Sequence, residues 1–211
     1  MKESLLRFQK NKNYLVFDYE TCNLNLTANN KPWQLAFLVI KNNKIVESKD
    51  YWLKWDELHV SPEAAKITGF TEAKYKKKAT CPKAALDHLE KYLYDDSYLK
   101  VGHNLLGFDV YMIDVWRKLI GEPLNQDYIN RIIDTKAIAT AIAKESPVDK
   151  ANFIYWQYRW LNYRERGLKT SQLTLLKKYG IDFDQKRLHD ALYDIEMNLE
   201  IFHKQLYDIE L

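Results

Sequence analysis

The 211-residue chain is 46% apolar and 29% charged, which permits one substantial buried core and excludes an intrinsically disordered chain. Its net charge of +3 names no partner, because an acidic centre and a basic rim cancel in the sum. Cys22 and Cys81 have neither a disulfide-framework pattern nor metal-ligand spacing, so reduced thiols are expected, and no window approaches the ~18 apolar residues of a membrane span.

The opening MKESLLRFQKNKNY has no long apolar stretch before a small-residue cleavage site, and a cytoplasmic protein is expected. Alternation and β-branched content predict strands near 14–19, 33–40 and 45–53, an antiparallel meander broken by Asn- and Lys-rich turns. SPEAAKITGF then reads as a short helix, with Ser61 as N-cap, Pro62 at the first helical position and Gly69 past its end. Lys74, Lys76, Lys77 and Lys78 make a basic run, either a solvated face or a binding rim. A helix is expected after Pro82, with Ala85, Leu86, Leu89 and Leu93 on one face.

Farther on, YLKVGH (98–103) reads as a strand, FDVYMIDVWRKLIG as a helix stopped by Gly121 and Pro123, and 131–134 as a short strand leading into TKAIATAIAK. Helices are expected at about 151–163, 171–179 and 190–209, with Gly180 ending the middle one. Strands followed by alternating strands and helices predict an α/β domain with a mixed sheet. No repeat or low-complexity linker interrupts it, and a single domain over 1–211 is expected.

Within YLVFDYETCNL, Asp18 and Glu20 are two residues apart, so on a strand their side chains leave the same face. Like charges this close repel by ~1 kcal/mol in water and ~4 kcal/mol at an effective dielectric of ~20, so a buried pair needs a cation or a raised pKa. A hard divalent cation would supply that compensation through oxygen ligands. Asp109, in GHNLLGFD, stands at a helix start after a strand, which suits either a functional site or an acid favoured by the helix dipole. His189 and Asp194 lie five apart, ~500° around a helix, so they converge only if His189 sits in the preceding loop and Asp194 one turn inside. Taken alone, that pair also suits a surface histidine and a solvated aspartate.

Taken together, FDYET, GHNLLGFD and HDALYD resemble, in order, the three motifs of the DEDDh (DnaQ-like) exonucleases, the family of the proofreading epsilon subunit of bacterial polymerase III. EAAKITGFTEA, IIDTKAIA and LTLLKKYGID also fall in the family's order, with Phe70 where isoleucine is usual, and the likeness runs over about residues 14–206. It implies a ribonuclease H-like fold with a central mixed five-stranded sheet flanked by helices. It further implies that Asp18, Glu20, Asp109 and Asp194 bind two divalent cations, Mg²⁺ or Mn²⁺, and that His189 is the general base. Thr21, Tyr19 and Asn104 fall at substrate-facing positions, Asn104 equally suiting a loop hydrogen bond, while Phe108 suits the core.

The implied activity is 3′→5′ hydrolysis of single-stranded DNA from a free 3′ end, releasing nucleoside 5′-monophosphates. An exoribonuclease of the same family and a non-catalytic nucleic-acid-binding protein are the alternatives. The resemblance leaves room for a polymerase partner without indicating one, and implies no membrane association. The chain departs from the family in an aromatic and basic insertion near 144–170. There Phe153, Trp156, Trp160 and Tyr163 at helical spacing mark a packed face, while Arg159, Arg164, Arg166 and Lys169 interleaved with them also suit a single-strand stacking surface or a partner interface.

Overall fold

The computed structural model describes residues 12–209, so most of the opening stretch read above and the two ends of the expected 1–211 domain lie outside it. β1 (Asn13–Thr21), β2 (Pro32–Lys41) and β3 (Lys44–Leu53) form the expected meander. Asn42 and Asn43 turn β2 into β3 with φ of 50° and 60°, a left-handed pair that matches the twist of a tight hairpin. β2 is buried from Pro32 to Ile40, as a central strand covered on both faces must be.

The sheet has six strands rather than five, in the order β4-β3-β2-β1-β5-β6. The additional strand, β4 (Ala79–Thr80), is two residues long and pairs in parallel with Trp52 and Leu53, too short to leave any periodicity in the sequence. β5 (Tyr98–Gly102) and β6 (Ile132–Asp134) complete the sheet in parallel with β1.

Two short helices precede β4. α1 (Pro62–Thr68) is capped by Ser61 as expected, and α2 (Glu72–Lys78) is capped by Thr71 and consists largely of the stretch read above only as a basic run. α3 (Pro82–Leu93) buries Ala85, Leu86, Leu89 and Leu93, and α4 (Asp109–Leu119) buries Trp116 and Ile113. α5 (Thr135–Ala143), α6 (Phe153–Leu161), α7 (Gln172–Tyr179) and α8 (Ala191–Asp208) follow.

α8 covers the face of the sheet from which Tyr14, Val16, Asp18 and Glu20 project. Phe202 meets Tyr14 edge to face at 5.4 Å, and Tyr14 and Phe202 belong to one core cluster. Eight residues of helix advance ~12 Å and four residues of strand ~13 Å, so a helix running antiparallel to β1 places Asp194 over Asp18 once Phe202 sits over Tyr14. On the other face Tyr19 packs edge to face against Trp116 of α4 and Phe17.

The aromatic insertion is a packed element. Trp156 and Trp160 are buried, and Phe153 and Tyr163 pack against the same core. Its most informative residue is Gln157, fully buried against the edge strand β6: its Oε1 accepts the Asp134 N–H at 2.7 Å and its Nε2 donates to the Ile132 carbonyl at 2.8 Å. A side-chain amide thus does for the sheet edge what another strand would do, and α6 closes that edge to further pairing. Replacing Gln157 with Leu strands a backbone donor and a backbone acceptor in the interior, at ~1–3 kcal/mol for each orphaned group. Thermal unfolding of Gln157→Leu is therefore expected to show a Tm several degrees lower, and an unchanged Tm would refute the edge-capping role.

Candidate active site

The ladder between β1 and β5 ends at Val16 and Val101, whereas β1 continues to Thr21 against β2. Beyond Val16 the two parallel strands part, opening a crevice at their carboxyl ends, the place where open α/β sheets bind ligands. Asp18 and Glu20 stand on β1 just past the parting, opposite Ala36 and Gln34 of β2. The crevice widens into a cleft of about 820 Å³ whose lining includes Asp18, Glu20, Asn104, Lys136, His189 and Asp194.

Glu20, His189 and Asp194 bring a potential ligand atom each within 4.8 Å of one another. His189 lies in the loop before α8 and Asp194 in the first turn of α8, the one arrangement that lets a pair five residues apart converge. Asp190 caps α8 by accepting the Tyr193 N–H at 3.2 Å, and the His189 N–H donates to Asp194 Oδ2 at 2.9 Å. His189 adopts φ 71°, a left-handed conformation costing ~1–3 kcal/mol in a residue with a side chain. The strain is held by the fold on either side and aims the imidazole into the cleft.

Asp109 is placed differently from the other acids: at the first position of α4 it is buried behind Asp18 and does not line the cleft. Its Oδ1 finds no hydrogen-bond partner among the described residues. The loop that presents it, His103–Phe108, is pinned by Asp134, whose carboxylate accepts the N–H groups of Asn104 and Leu106 while capping α5 through Lys136 and Ala137. Asn104, at φ 69°, is the second strained residue of the site; its N–H donates to Asp134 and its Oδ1 accepts from Lys136 Nζ at 3.1 Å. The loop hydrogen bond and the cleft position expected as alternatives for Asn104 thus coexist.

Tyr19 and Thr21 do not open onto the cleft. The Tyr19 side chain belongs to the opposite face of β1 and is buried against Trp116, because alternate strand residues point to opposite faces. Its backbone N–H, by contrast, helps to hold charge on both Asp18 and Asp109. Thr21 is also buried, its hydroxyl donating to the Asn23 carbonyl at 2.6 Å. Phe108 packs partly into the core, as expected.

Several cleft residues carried no sequence signal. Gln172, at the start of α7, donates to the Asp194 carbonyl at 3.0 Å and to Asp194 Oδ1 at 3.2 Å. Lys136 brings a cation beside the acids, and Leu24, 85% exposed, offers an apolar surface at the rim. His103 also lines the cleft, its Nδ1 3.0 Å from Thr135 Oγ1; burial, followed by the charge of Lys136, pushes its pKa down to about 3 and keeps it neutral.

The electrostatics of the acids suit a cation site. Burial, then the charge of Asp194, raises Asp18 well above the ordinary carboxylate range; burial, then Asp18 and Asp194, does the same to Glu20. Asp109 is raised by burial and by Asp18, and Asp194 is pushed up to about 7 by burial against the opposing His189 N–H bond. Hard oxygen donors, mutual repulsion and an orphaned buried carboxylate oxygen fit a divalent cation.

Each of these acids binds its proton more tightly folded than unfolded, so the metal-free fold is stabilised at low pH and loses that stability as pH rises, for Asp194 across the interval from 3.8 to about 7. Asp18→Asn removes one of the repelling charges. It is expected to raise the metal-free Tm above about pH 7, to change it little near pH 4, and to abolish the rise in Tm that Mg²⁺ gives the unsubstituted protein. Thermal melts with EDTA and with Mg²⁺ at both pH values check this.

The family model described as "Exonuclease" matches residues 15–202. A PolC-type DNA polymerase III of Mycoplasma pneumoniae is 26% identical over 204 residues, which cover 96% of this chain and 12% of the polymerase. The fold is that of Escherichia coli exonuclease I: a zinc-bound complex with single-stranded DNA superposes with a TM-score of 0.71 at 20% identity, covering 93% of this chain and 42% of that one. A complex of the same enzyme with a dA16 oligonucleotide gives 0.68 at 19% identity and the same coverage. The chain thus spans less than half of the solved structures it resembles and about an eighth of the polymerase.

Proposed function

The chain belongs to the exonuclease family, and on that premise we propose that it hydrolyses single-stranded DNA from a free 3′ end, releasing nucleoside 5′-monophosphates with the aid of two divalent cations, Mg²⁺ or Mn²⁺. The observation that carries this reading is the convergence of Glu20, His189 and Asp194 beside Asp18 in one open cleft. The 3′→5′ direction is what the resemblance of the motifs carrying Asp18, Glu20, Asp109, His189 and Asp194 to those of the DEDDh exonucleases implies. DNA as the polymer is supported by the single-stranded DNA held by the similar E. coli enzyme.

Asp18, Glu20 and Asp194 would hold the cations, with Asp109 closing the set from behind Asp18. When bound, such cations neutralise charge on the phosphate oxygens and lower the pKa of a coordinated water. His189 takes the proton from the attacking water. Burial lowers its pKa, so the imidazole is neutral and able to accept near pH 7. The His189 N–H bond to Asp194 ties the base to the acid, so proton acceptor and cation ligand move as one unit. Lys136 Nζ sits where it can meet a non-bridging phosphate oxygen, and Leu24 presents its side chain to the face of a base.

The test is incubation with 5′-labelled single-stranded DNA and RNA in Mg²⁺, Mn²⁺ or EDTA. A ladder shortening from the 3′ end on DNA, dependent on the cation, is expected; no ladder on either polymer would sink the reading, and a ladder on RNA alone would reassign the substrate. His189→Asn is expected to slow turnover by ~10²–10⁴-fold while the Mg²⁺-dependent rise in Tm persists, because the imidazole is asked for proton transfer. Loss of that rise together with activity would make His189 a ligand instead.

A further inference from the structure

Beside the cleft runs a second groove of about 590 Å³, whose lining carries six cationic side chains: Lys66 of α1, Lys74, Lys77 and Lys78 of α2, and Lys186 and Arg187 of the loop before α8. We propose that this groove holds the sugar-phosphate backbone of the strand whose 3′ end lies among the carboxylates, an assignment that rests on the exonuclease reading above.

Charge pairing is the first support. None of the six is within ion-pair distance of a carboxylate among the described residues, whereas Lys76 of the same helix α2 pairs with Glu72. Lys76 is especially informative, because it belongs to α2 but lines a different pocket. The acid in the groove is Asp190, already engaged as the cap of α8.

Continuity is the second support. Leu188 lines both groove and cleft, and Gln34 in the groove pairs in register with Glu20 in the cleft across β2 and β1. A polyanion approaching the carboxylates of Asp18, Glu20 and Asp194 is repelled until cations are bound, and the six-cation groove adjoining the cleft supplies attraction beyond that of Lys136.

Rigidity is the third. α2 is anchored to the sheet by Tyr75, whose hydroxyl donates to the Leu53 carbonyl at 2.9 Å and accepts the Trp55 N–H at 2.8 Å. Phe70 stacks on Trp52 and meets Trp33 edge to face, fixing the link between α1 and α2. Lys78 Nζ lies 5.1 Å over the Trp52 ring and the Arg187 guanidinium 4.0 Å over Tyr193, which limits the freedom these cations lose on meeting phosphate.

The experiment compares the unsubstituted protein, the triple variant Lys74→Ala/Lys77→Ala/Lys78→Ala and the single variant Lys76→Ala, all checked for an unchanged Tm. Binding of a fluorescent single-stranded DNA of about 15 nucleotides is followed by anisotropy in EDTA over a salt series. Turnover of that oligonucleotide, and of the p-nitrophenyl ester of thymidine 5′-monophosphate, is followed in Mg²⁺. The triple variant is expected to bind at least ~10-fold more weakly and to flatten the slope of log K against log salt by about 2, since each lost phosphate contact on a single strand removes ~0.7. Lys76→Ala should match the unsubstituted protein, and the nucleotide ester, which has no strand to lay in the groove, should be turned over equally by all three. Equal binding and equal slope in the triple variant would overturn the proposal, as would an equal loss in Lys76→Ala. Binding loss confined to the triple variant, with no turnover of either substrate by any protein, would retain the groove as a nucleic-acid site and defeat the exonuclease reading.

Discussion

Repulsion among carboxylates gathered where β1 outruns β5 is the constraint on which the rest of this structure depends. Burial raises the proton affinity of Asp18, Glu20, Asp109 and Asp194, and neighbouring carboxylates add to it. Such a cluster persists only if the surrounding fold supplies the stability that it costs, and a large core of buried residues from β1, β2, β3, β5 and β6 and from α3, α4, α5, α6 and α8 does so. The carboxylates are therefore a property of the whole domain, and a cation held by them would return the electrostatic cost.

Two devices turn that core into a site. The first is α8 lying antiparallel over β1, with the Tyr14–Phe202 contact at one end setting where Asp194 falls at the other. Asn198 and Gln205, both buried on the same helix, donate to the hydroxyl and the carbonyl of Thr135, fixing the helix against α5 by directional bonds that apolar packing alone lacks. The second is a pair of left-handed residues, Asn104 and His189, each leading into a segment that carries an acid. Asp134 restrains the first through backbone N–H groups, and Asp194 restrains the second. Two left-handed residues and the repelling acids thus share one site, where hydrogen bonds to Asp134 and Asp194 hold the strained backbone in place.

The distribution of cations complements this. Six cations, none in an ion pair among the described residues, line the groove that shares Leu188 with the cleft. The small net charge conceals this arrangement, because the acids and the bases are segregated over a short distance rather than mixed. A field of that form, negative at the reacting centre and positive beside it, orients a polyanionic strand with its end inward once the acids are neutralised.

By itself the sequence singled out the acids and the histidine that the fold brings together, and most of the elements that bear them. The period of two along FDYET puts two acids on one face, and the placement of His189 before a helix start specified its convergence with Asp194. Caps at Ser61 and Gly180 marked helix ends through local hydrogen bonding and local backbone freedom, which are written in a few consecutive residues. The tertiary structure decided what depends on distant partners. β4 exists because Trp52 and Leu53 offer it an edge, Gln157 serves the sheet because α6 packs on β6, and Gln172 and Lys136 reach the acids from helices remote in the chain. It also withdrew the Tyr19 side chain from the cleft, since the alternation that aims Asp18 and Glu20 one way sends the residue between them into the core. The dividing line is physical: alternation and capping act over a few residues and are legible in order along the chain, whereas edge pairing, amide bridges and charge segregation are set by which segments the core brings together.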